Sequence, residues 1–262
     1  MPTDPAITTF PDGWDSAARL VGGRWVERRP RRPEVADRLR TETRLMPWLA
    51  PQLSLPVPVP AVAADDPLMV RHAVVPGEPL SAPVAAHGRQ LGAFLRALHA
   101  ADTTEAVRRG APSAEQARHE RAEVVREFTS RVLPLLPAHR RRPAFALLAQ
   151  VAVLPARTLV HGDLGPEHVL AREGRLAGVI DFGDVHIGDP AIDLAWALHN
   201  TPPSFADALA ATYPVTPQLR EHALLWHQLG PWYEVTHGLD LDEPDTVRSG
   251  LDGVLARLPA SP

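Results

Sequence analysis

Apolar positions change their period early in this chain. From Ala17 to Arg28 they alternate loosely and break at Gly22-Gly23, which predicts a hairpin with arms Ala17–Val21 and Arg24–Arg28. Residues 1–10 show no such pattern and are expected to be a frayed extension. From Pro33 the spacing turns helical through Val35, Leu39, Leu45, Trp48 and Leu49, with Pro33 near the start and Pro51 as the stop. The proline-rich stretch LSLPVPVPAV can serve only as an edge segment or linker. Asp65-Asp66-Pro67 reads as a turn, and Leu68–Val75 as a strand that ends at Pro76-Gly77.

Helical periods dominate the chain beyond that turn. They run from His87 to Ala100, with Leu91, Phe94, Leu95 and Leu98 on one face, then Ala114–Leu133 and Ala138–Val153. His87 and His99 read as ordinary helix residues, and the mixed charges of Ala114–Leu133 as a solvated face. Short apolar runs at Thr158–Val160, Val169–Ala171 and Gly178–Ile180 then predict strands, with a turn at Glu173-Gly174. Helix returns in PAIDLAWALHN and FADALAATY, and again from Pro217 with a break at Gly230-Pro231, before a last helix near Asp245–Leu258. A strand-rich start and a helical remainder with one β insertion give an α+β chain of two lobes. The small β-rich N-lobe is residues 1–72, and the larger, mainly helical C-lobe is residues 73–262.

Composition narrows the function classes. An apolar fraction of 45% leaves ample material for a core, and a net charge of −4 gives no electrostatic footprint for nucleic acid. The absence of cysteine excludes disulfides, thiolate metal sites and cysteine nucleophiles. MPTDPAITTF lacks a basic region followed by an apolar run, so no signal peptide is expected, and no apolar run approaches the ~18 residues of a membrane span. The expectation is a soluble cytoplasmic protein, a monomer or weak dimer, without nucleic-acid or membrane partners. Its basic residues are all arginine.

The candidate chemistry lies between Val160 and Trp196. Two of the apolar runs end in an acidic turn, His161-Gly162-Asp163 and Asp181-Phe182-Gly183. Carboxylates at neighbouring strand ends suit a metal–phosphate site. The spacing also matches the kinase pattern of a catalytic Asp, four residues, a metal-binding slot held here by His168, and then Asp-Phe-Gly. Each aspartate can also be a cap or an Asx-turn, and an isolated Asp-Phe-Gly would favour that reading. Paired, they assign Asp163 to orienting a hydroxyl and accepting its proton, and Asp181 to holding Mg²⁺ as a hard oxygen ligand. Arg28 and Glu42 follow in the order of a strand cation that holds phosphates and a helix carboxylate that orients it. Gly13–Ser16 is a candidate phosphate-covering loop, and backbone groups near Val70–His72 are candidates for a purine edge. His161 reads as a brace for the catalytic loop, Gly162 and Gly183 as relief of strain in tight turns, and Asp189 and Asp193 as caps or loop ties.

HGDLGPEHVL, GVIDFGDVHIGDPAIDLAW, RWVERRPRR with the following TETRLMPWLA, and VPGEPL together resemble the aminoglycoside phosphotransferase family, from about Gly13 to Leu198. The resemblance implies a protein-kinase-like fold and transfer from ATP or GTP, with Mg²⁺, to a hydroxyl of a small molecule. It points to an aminoglycoside- or macrolide-type antibiotic, with catalysis at Asp163 and metal at Asp181 and position 168. A metabolic small-molecule kinase and a catalytically silent nucleotide-binding module are the alternatives. Two residues depart from the family pattern. His168 stands where Asn is usual, as it does in macrolide and some aminoglycoside 2″-type enzymes, and Arg28 stands where Lys is common. For the acceptor, Asp240, Asp242, Glu243 and Asp245 form an acidic cluster that can receive an amino-sugar cation or be a solvated loop. Trp226, Trp232 and Tyr233 can wall an apolar pocket or pack in the core, where Trp196 is also expected.

Overall fold

The computed structural model describes residues 7–10 and 16–259. Its N-terminal region is an antiparallel sheet of β1 (Ile7–Phe10), β2 (Ser16–Val21), β3 (Trp25–Pro30), β4 (Ala61–Asp65) and β5 (Leu68–Ala73), in the order β1-β2-β3-β5-β4. Gly22 and Gly23 both take left-handed φ, 59° and 64°, which closes the predicted β2–β3 hairpin with the twist its strands require. Residues 7–10 are not a frayed extension. They pair with β2 from Ile7↔Val21 to Phe10↔Ala18, because the sheet offers an edge that no periodicity within ITTF announces.

Helix α1 (Pro33–Leu49) opens on Pro33, whose missing N–H costs nothing at a first helical position. Val35 and Leu39 pack against Leu68 and Val70 of β5. Further along, Leu45, Met46 and Leu49 enter the main core with Phe94 and Leu98. Backbone ties follow the same path: Arg44 Nε donates to the Arg109 carbonyl (3.2 Å), and Arg109 Nη1 to the Arg44 carbonyl (3.3 Å). One helix is thereby rooted in both regions.

The chain leaves the sheet through β6 (Glu78–Pro79) and continues into α2 (Ala85–His99), α3 (Thr103–Arg108), α4 (Ala114–Glu127) and α5 (Ala138–Ala152). The β insertion consists of β7 (Thr158–Val160), β8 (Val169–Arg172), β9 (Arg175–Val179) and β10 (His186–Gly188). β6, β8 and β9 form one small antiparallel sheet, and β7 and β10 another. Last come α6 (Ala195–His199), α7 (Pro203–Ala210), α8 (Pro217–Asp240) and α9 (Pro244–Arg257). This is the expected α+β arrangement of a β-sheet N-terminal region and a helical C-terminal region.

Three helix boundaries differ from expectation. α4 stops at Glu127 and passes into a π-helical turn, Phe128–Val132, that buries both Phe128 and Val132. α6 is shorter than PAIDLAWALHN suggests, because the segment before it folds into turns around buried Asp189 and Asp193. α8 runs unbroken through Gly230-Pro231. A proline inside a helix costs roughly 3 kcal/mol. Here α9 compensates by packing so closely that a Cβ on Gly238 would meet the Val247 nitrogen at 2.7 Å, and one on Gly250 the Val235 nitrogen at 2.8 Å. Among the described residues, no helix is long and apolar enough to cross a membrane.

Candidate active site

At the end of β7 the chain turns directly into His161-Gly162-Asp163. His161 is fully buried. Its backbone N–H donates to Asp193 Oδ2 (2.7 Å), its Nε2–H to the Ile180 carbonyl (2.9 Å), and its Nδ1 receives the Asp163 N–H (3.3 Å). A carbonyl can only accept, so the ring proton sits on Nε2 and Nδ1 is left as the acceptor. One imidazole thus ties the backbone of Asp163 to the strand end that leads into Asp181. Gly162 takes φ +90°, and a Cβ there would lie 2.3 Å from the Asp184 carbonyl oxygen, so only glycine passes.

Asp193 anchors this turn from below. Besides His161 it receives the Gly162 N–H (2.9 Å) and His99 Nε2 (3.0 Å), and His99 Nδ1 meets the Tyr213 hydroxyl (2.8 Å). Burial raises the Asp193 pKa, but the hydrogen bonds from His99 and the Gly162 backbone help to outweigh it, and the net shift is downward. Asp193 is therefore the loop tie that the sequence suggests. Asp189 accepts from the Ala191 N–H (3.2 Å) as an Asx-turn and from His222 Nδ1 (3.1 Å). His99 is more than an ordinary helix residue, and so is His87, whose Nε2 meets the Gly174 carbonyl (3.1 Å) in the β8–β9 turn. Helical spacing gives no sign of either partner.

Beyond β9, Asp181 takes φ +65°, a left-handed conformation that costs a non-glycine residue energy. The strain lies here rather than at Gly183, where an added Cβ would make an ordinary 3.4 Å contact with Asp181 Oδ1. Phe182 is buried with its ring 4.8 Å from that of His161. Asp184 receives Arg38 Nη1 at 3.0 Å, which joins this loop to α1.

His168 stands between the two carboxylates. Its Nδ1 meets the Asp163 carbonyl oxygen at 2.6 Å and lies 3.7 Å from Asp163 Oδ2, while Nε2 lies 3.8 Å from Asp181 Oδ2. The carbonyl fixes the proton on Nδ1 and leaves the Nε2 lone pair on the Asp181 side, the arrangement of a histidine ready to bind metal. Burial raises the Asp163 pKa above the ordinary aspartate value, with His168 opposing it. Burial acts on Asp181 too, but the Arg28 guanidinium outweighs it and holds this carboxyl below the ordinary value. The environment drives the two carboxylates apart, so Asp163 holds a proton more readily and Asp181 stays charged. Among the described residues, no three His, Asp or Glu side chains converge as a protein-only metal cage. Asp181 supplies the hard oxygen donor that suits Mg²⁺ and His168 a nitrogen donor that suits it less, with phosphate oxygens and water left to complete the ion's shell.

Above Asp181 lies the cation. Arg28 Nη1 donates to both Glu42 oxygens (2.8 and 3.1 Å), its Nε to Ser16 Oγ (3.2 Å), and its Nη2 lies 3.8 Å from Asp181 Oδ1. Burial is the largest influence on Glu42 and raises its pKa to about 6, against the attraction of Arg28. Ser16 opens β2 with its hydroxyl on Arg28, whereas Gly13 lies outside the described residues. The Val70 backbone is in register with Arg28 on one side and Val62 on the other. The ladder to β4 begins at Arg71, which leaves that edge of His72 and Ala73 outside it.

The structure gives the acidic cluster its own partners at the α8–α9 turn. Asp240 receives Arg131 Nη2 (2.6 Å), Glu243 the Thr246 hydroxyl (2.9 Å), and Asp245 pairs with Arg248 (3.2 Å). Asp242 takes φ +55° in the same turn. Trp232 is fully buried, Trp226 nearly so and Trp196 partly, all packed in the core. Tyr233 turns out instead. Desolvation first, and then the charges of Asp184 and Asp163, raise its phenol to about 12, although the ring is half-exposed. Its neighbour Trp232 disguised this position, since adjacent residues of one helix serve different faces.

A model of the phosphotransferase enzyme family (APH) matches residues 6–222. The chain belongs to that family. It is 36% identical over 148 residues to viomycin phosphotransferase of Streptomyces vinaceus, a match covering 52% of this chain; the chain spans about half (51%) of that relative's length. The solved GDP and kanamycin complex of APH(2")-IIia superimposes with a TM-score of 0.85 at 24% identity, over 97% of this chain and 93% of that one. The apoenzyme of macrolide 2'-phosphotransferase MphH from Brachybacterium faecium follows with a TM-score of 0.75 at 24% identity, over 98% and 92%. These family members establish the kinase-like fold that the sequence resemblance implied.

Proposed function

We propose that the protein transfers the terminal phosphoryl group of ATP or GTP to a hydroxyl of a small-molecule antibiotic. The observation that carries this reading is one imidazole, His168, flanked at 3.7 and 3.8 Å by Asp163 and Asp181, with Arg28 3.8 Å beyond Asp181. Asp163, at the tip of a loop fixed by His161 and Asp193, orients the acceptor hydroxyl and takes its proton. Arg28, aligned by Glu42 and Ser16, engages phosphate oxygens. Arginine in place of lysine keeps this role, because its fork can serve Glu42 and a phosphate together. Asp181 and His168 are the residues that would hold Mg²⁺, which when bound neutralises charge on the phosphate oxygens.

Residues 1–72 form the nucleotide-binding lobe in this reading, and residues 73–262 the catalytic and acceptor-binding lobe. A nucleoside triphosphate as donor fits a cytoplasmic location, and action as a monomer or weak dimer belongs to the same reading. The names of the relatives direct the acceptor screen to viomycin, aminoglycosides and macrolides. The decisive experiment is nucleotide consumption over that panel with wild type and Asp163→Asn. The expected result is an acceptor-dependent rate that drops on the order of 10²–10⁴-fold in the variant while ADP binding is retained. Full turnover by Asp163→Asn would remove the assignment of the base.

A further inference from the structure

His72 is a buried titratable group that phosphoryl transfer does not use. It lies on β5 opposite Val26, two residues along from Val70, which is opposite Arg28. Burial alternates along β5, with Leu68, Val70 and His72 buried and Arg71 and Ala73 exposed, so His72 shares the inner face with Val70 and Arg28. The displacement from the Arg28 pair is about 7 Å along the strand, away from the phosphate end and toward the point where the chain leaves the sheet. A nucleotide with phosphates at Arg28 and its base toward that exit would have the base beside His72.

The ring is set in one tautomer. Nδ1 lies 2.9 Å from the Ala73 carbonyl oxygen, which can only accept, so the proton is on Nδ1. Burial holds the pKa of His72 below the ordinary histidine value, with the Arg28 charge acting in the same direction, against the Ala73 hydrogen bond. Nε2 is then an acceptor without a proton. Adenine and guanine differ at the six-position in the same terms: adenine carries an amino donor there and guanine a carbonyl acceptor.

We propose that His72 makes this protein selective for adenine over guanine nucleotides, its Nε2 lone pair accepting from the six-amino group and repelling a six-carbonyl. The inference rests on the nucleotide-binding reading of this site. It also separates this chain from its structural neighbour solved with GDP, which at 24% identity shares the fold.

Calorimetric titration of the full chain with the Mg²⁺ complexes of ADP, GDP and IDP tests it. ADP is expected to bind on the order of tenfold or more tighter than GDP, as for a buried acceptor that gains or loses its donor. IDP, which carries the six-carbonyl without the two-amino group, should group with GDP. His72→Leu should bring ADP and GDP within about twofold of each other, the residual expected once the acceptor is gone. His72→Gln, whose amide can turn to donate, should raise GDP relative to ADP. Equal affinities for ADP and GDP in wild type, or an unchanged ratio in His72→Gln, would overturn the proposal. The wild-type series decides even where the leucine variant fails to fold. Binding of none of the three nucleotides would instead overturn the nucleotide-site reading, and the inference with it.

Discussion

Arg28 grips both carboxylate oxygens of Glu42 through a single nitrogen, Nη1, at 2.8 and 3.1 Å. Glu42 sits on α1 between Leu39, which packs on the sheet, and Leu45, which packs in the main core. The cation is thus aligned by a helix rooted on both sides of the site. A mobile loop would leave the guanidinium free to swing, whereas here its direction belongs to the fold.

Burial of that carboxylate has a measurable consequence. The folded pKa of Glu42, about 6, exceeds its ordinary value of 4.5. Between these values the folded protein keeps a proton that the unfolded chain has lost. The associated stability is complete below about pH 4.5 and disappears as the pH rises through 6, a change of about 2 kcal/mol. Glu42→Gln cannot titrate. Urea denaturation at pH 4.5 and 7.5 should show wild type losing about that much relative to the variant. A wild-type-minus-variant difference that stays constant between the two pH values would show that Glu42 titrates normally.

Asp193 is buried with His99 as one of three donors. Replacing His99 by Leu leaves a buried carboxylate partly unsatisfied and removes the partner of the Tyr213 hydroxyl. The expected loss is about 1–3 kcal/mol. Thermal or urea unfolding of His99→Leu reads it directly. His99→Gln, which can still donate, should recover part of the loss, and no recovery would argue that packing rather than the hydrogen bond is at work.

Gly162 carries a sharper constraint. An alanine there must hold φ near +90° while its Cβ presses on the Asp184 carbonyl oxygen. Relief requires the turn to shift, and Asp163 is the next residue. Gly162→Ala should lower turnover by 10²-fold or more, on the order expected when a catalytic group is misplaced by about 1 Å, with a smaller effect on ADP affinity. Comparable losses in both quantities would point to general unfolding.

Much of the candidate site was legible in the chain itself. Asp163, Asp181 and His168 stand out because their spacing along the sequence is itself the geometric constraint, strand ends joined by a short hairpin. Arg28 and Glu42 could be placed only by order, yet the structure joins them, since α1 lies against the sheet that carries Arg28. The supports were hidden for a different reason. His99 is 94 residues from Asp193, and Arg38 is 146 from Asp184; no local period records such pairs. Pro231 misled because intrinsic propensity argues for a break, while close packing on α9 overrides it. The acidic run at Asp240 drew notice by composition, but arginines and a helix start account for most of its partners.

His168 offers a test of the candidate metal site that does not depend on turnover. Its Nε2 faces Asp181, so the donor set is one imidazole nitrogen and one carboxylate. Nitrogen donors favour later first-row divalent ions, and oxygen donors suit Mg²⁺. ADP affinity measured by calorimetry should therefore gain more from Mn²⁺ or Co²⁺ than from Mg²⁺ in wild type. His168→Asn replaces the nitrogen with an amide oxygen and should shift the preference toward Mg²⁺. Removing divalent ions with EDTA should weaken ADP binding in both proteins and erase the difference between them. A wild-type and variant pair with the same metal ranking would mean that His168 serves only the Asp163 carbonyl through Nδ1, at 2.6 Å, and leaves the ion to Asp181.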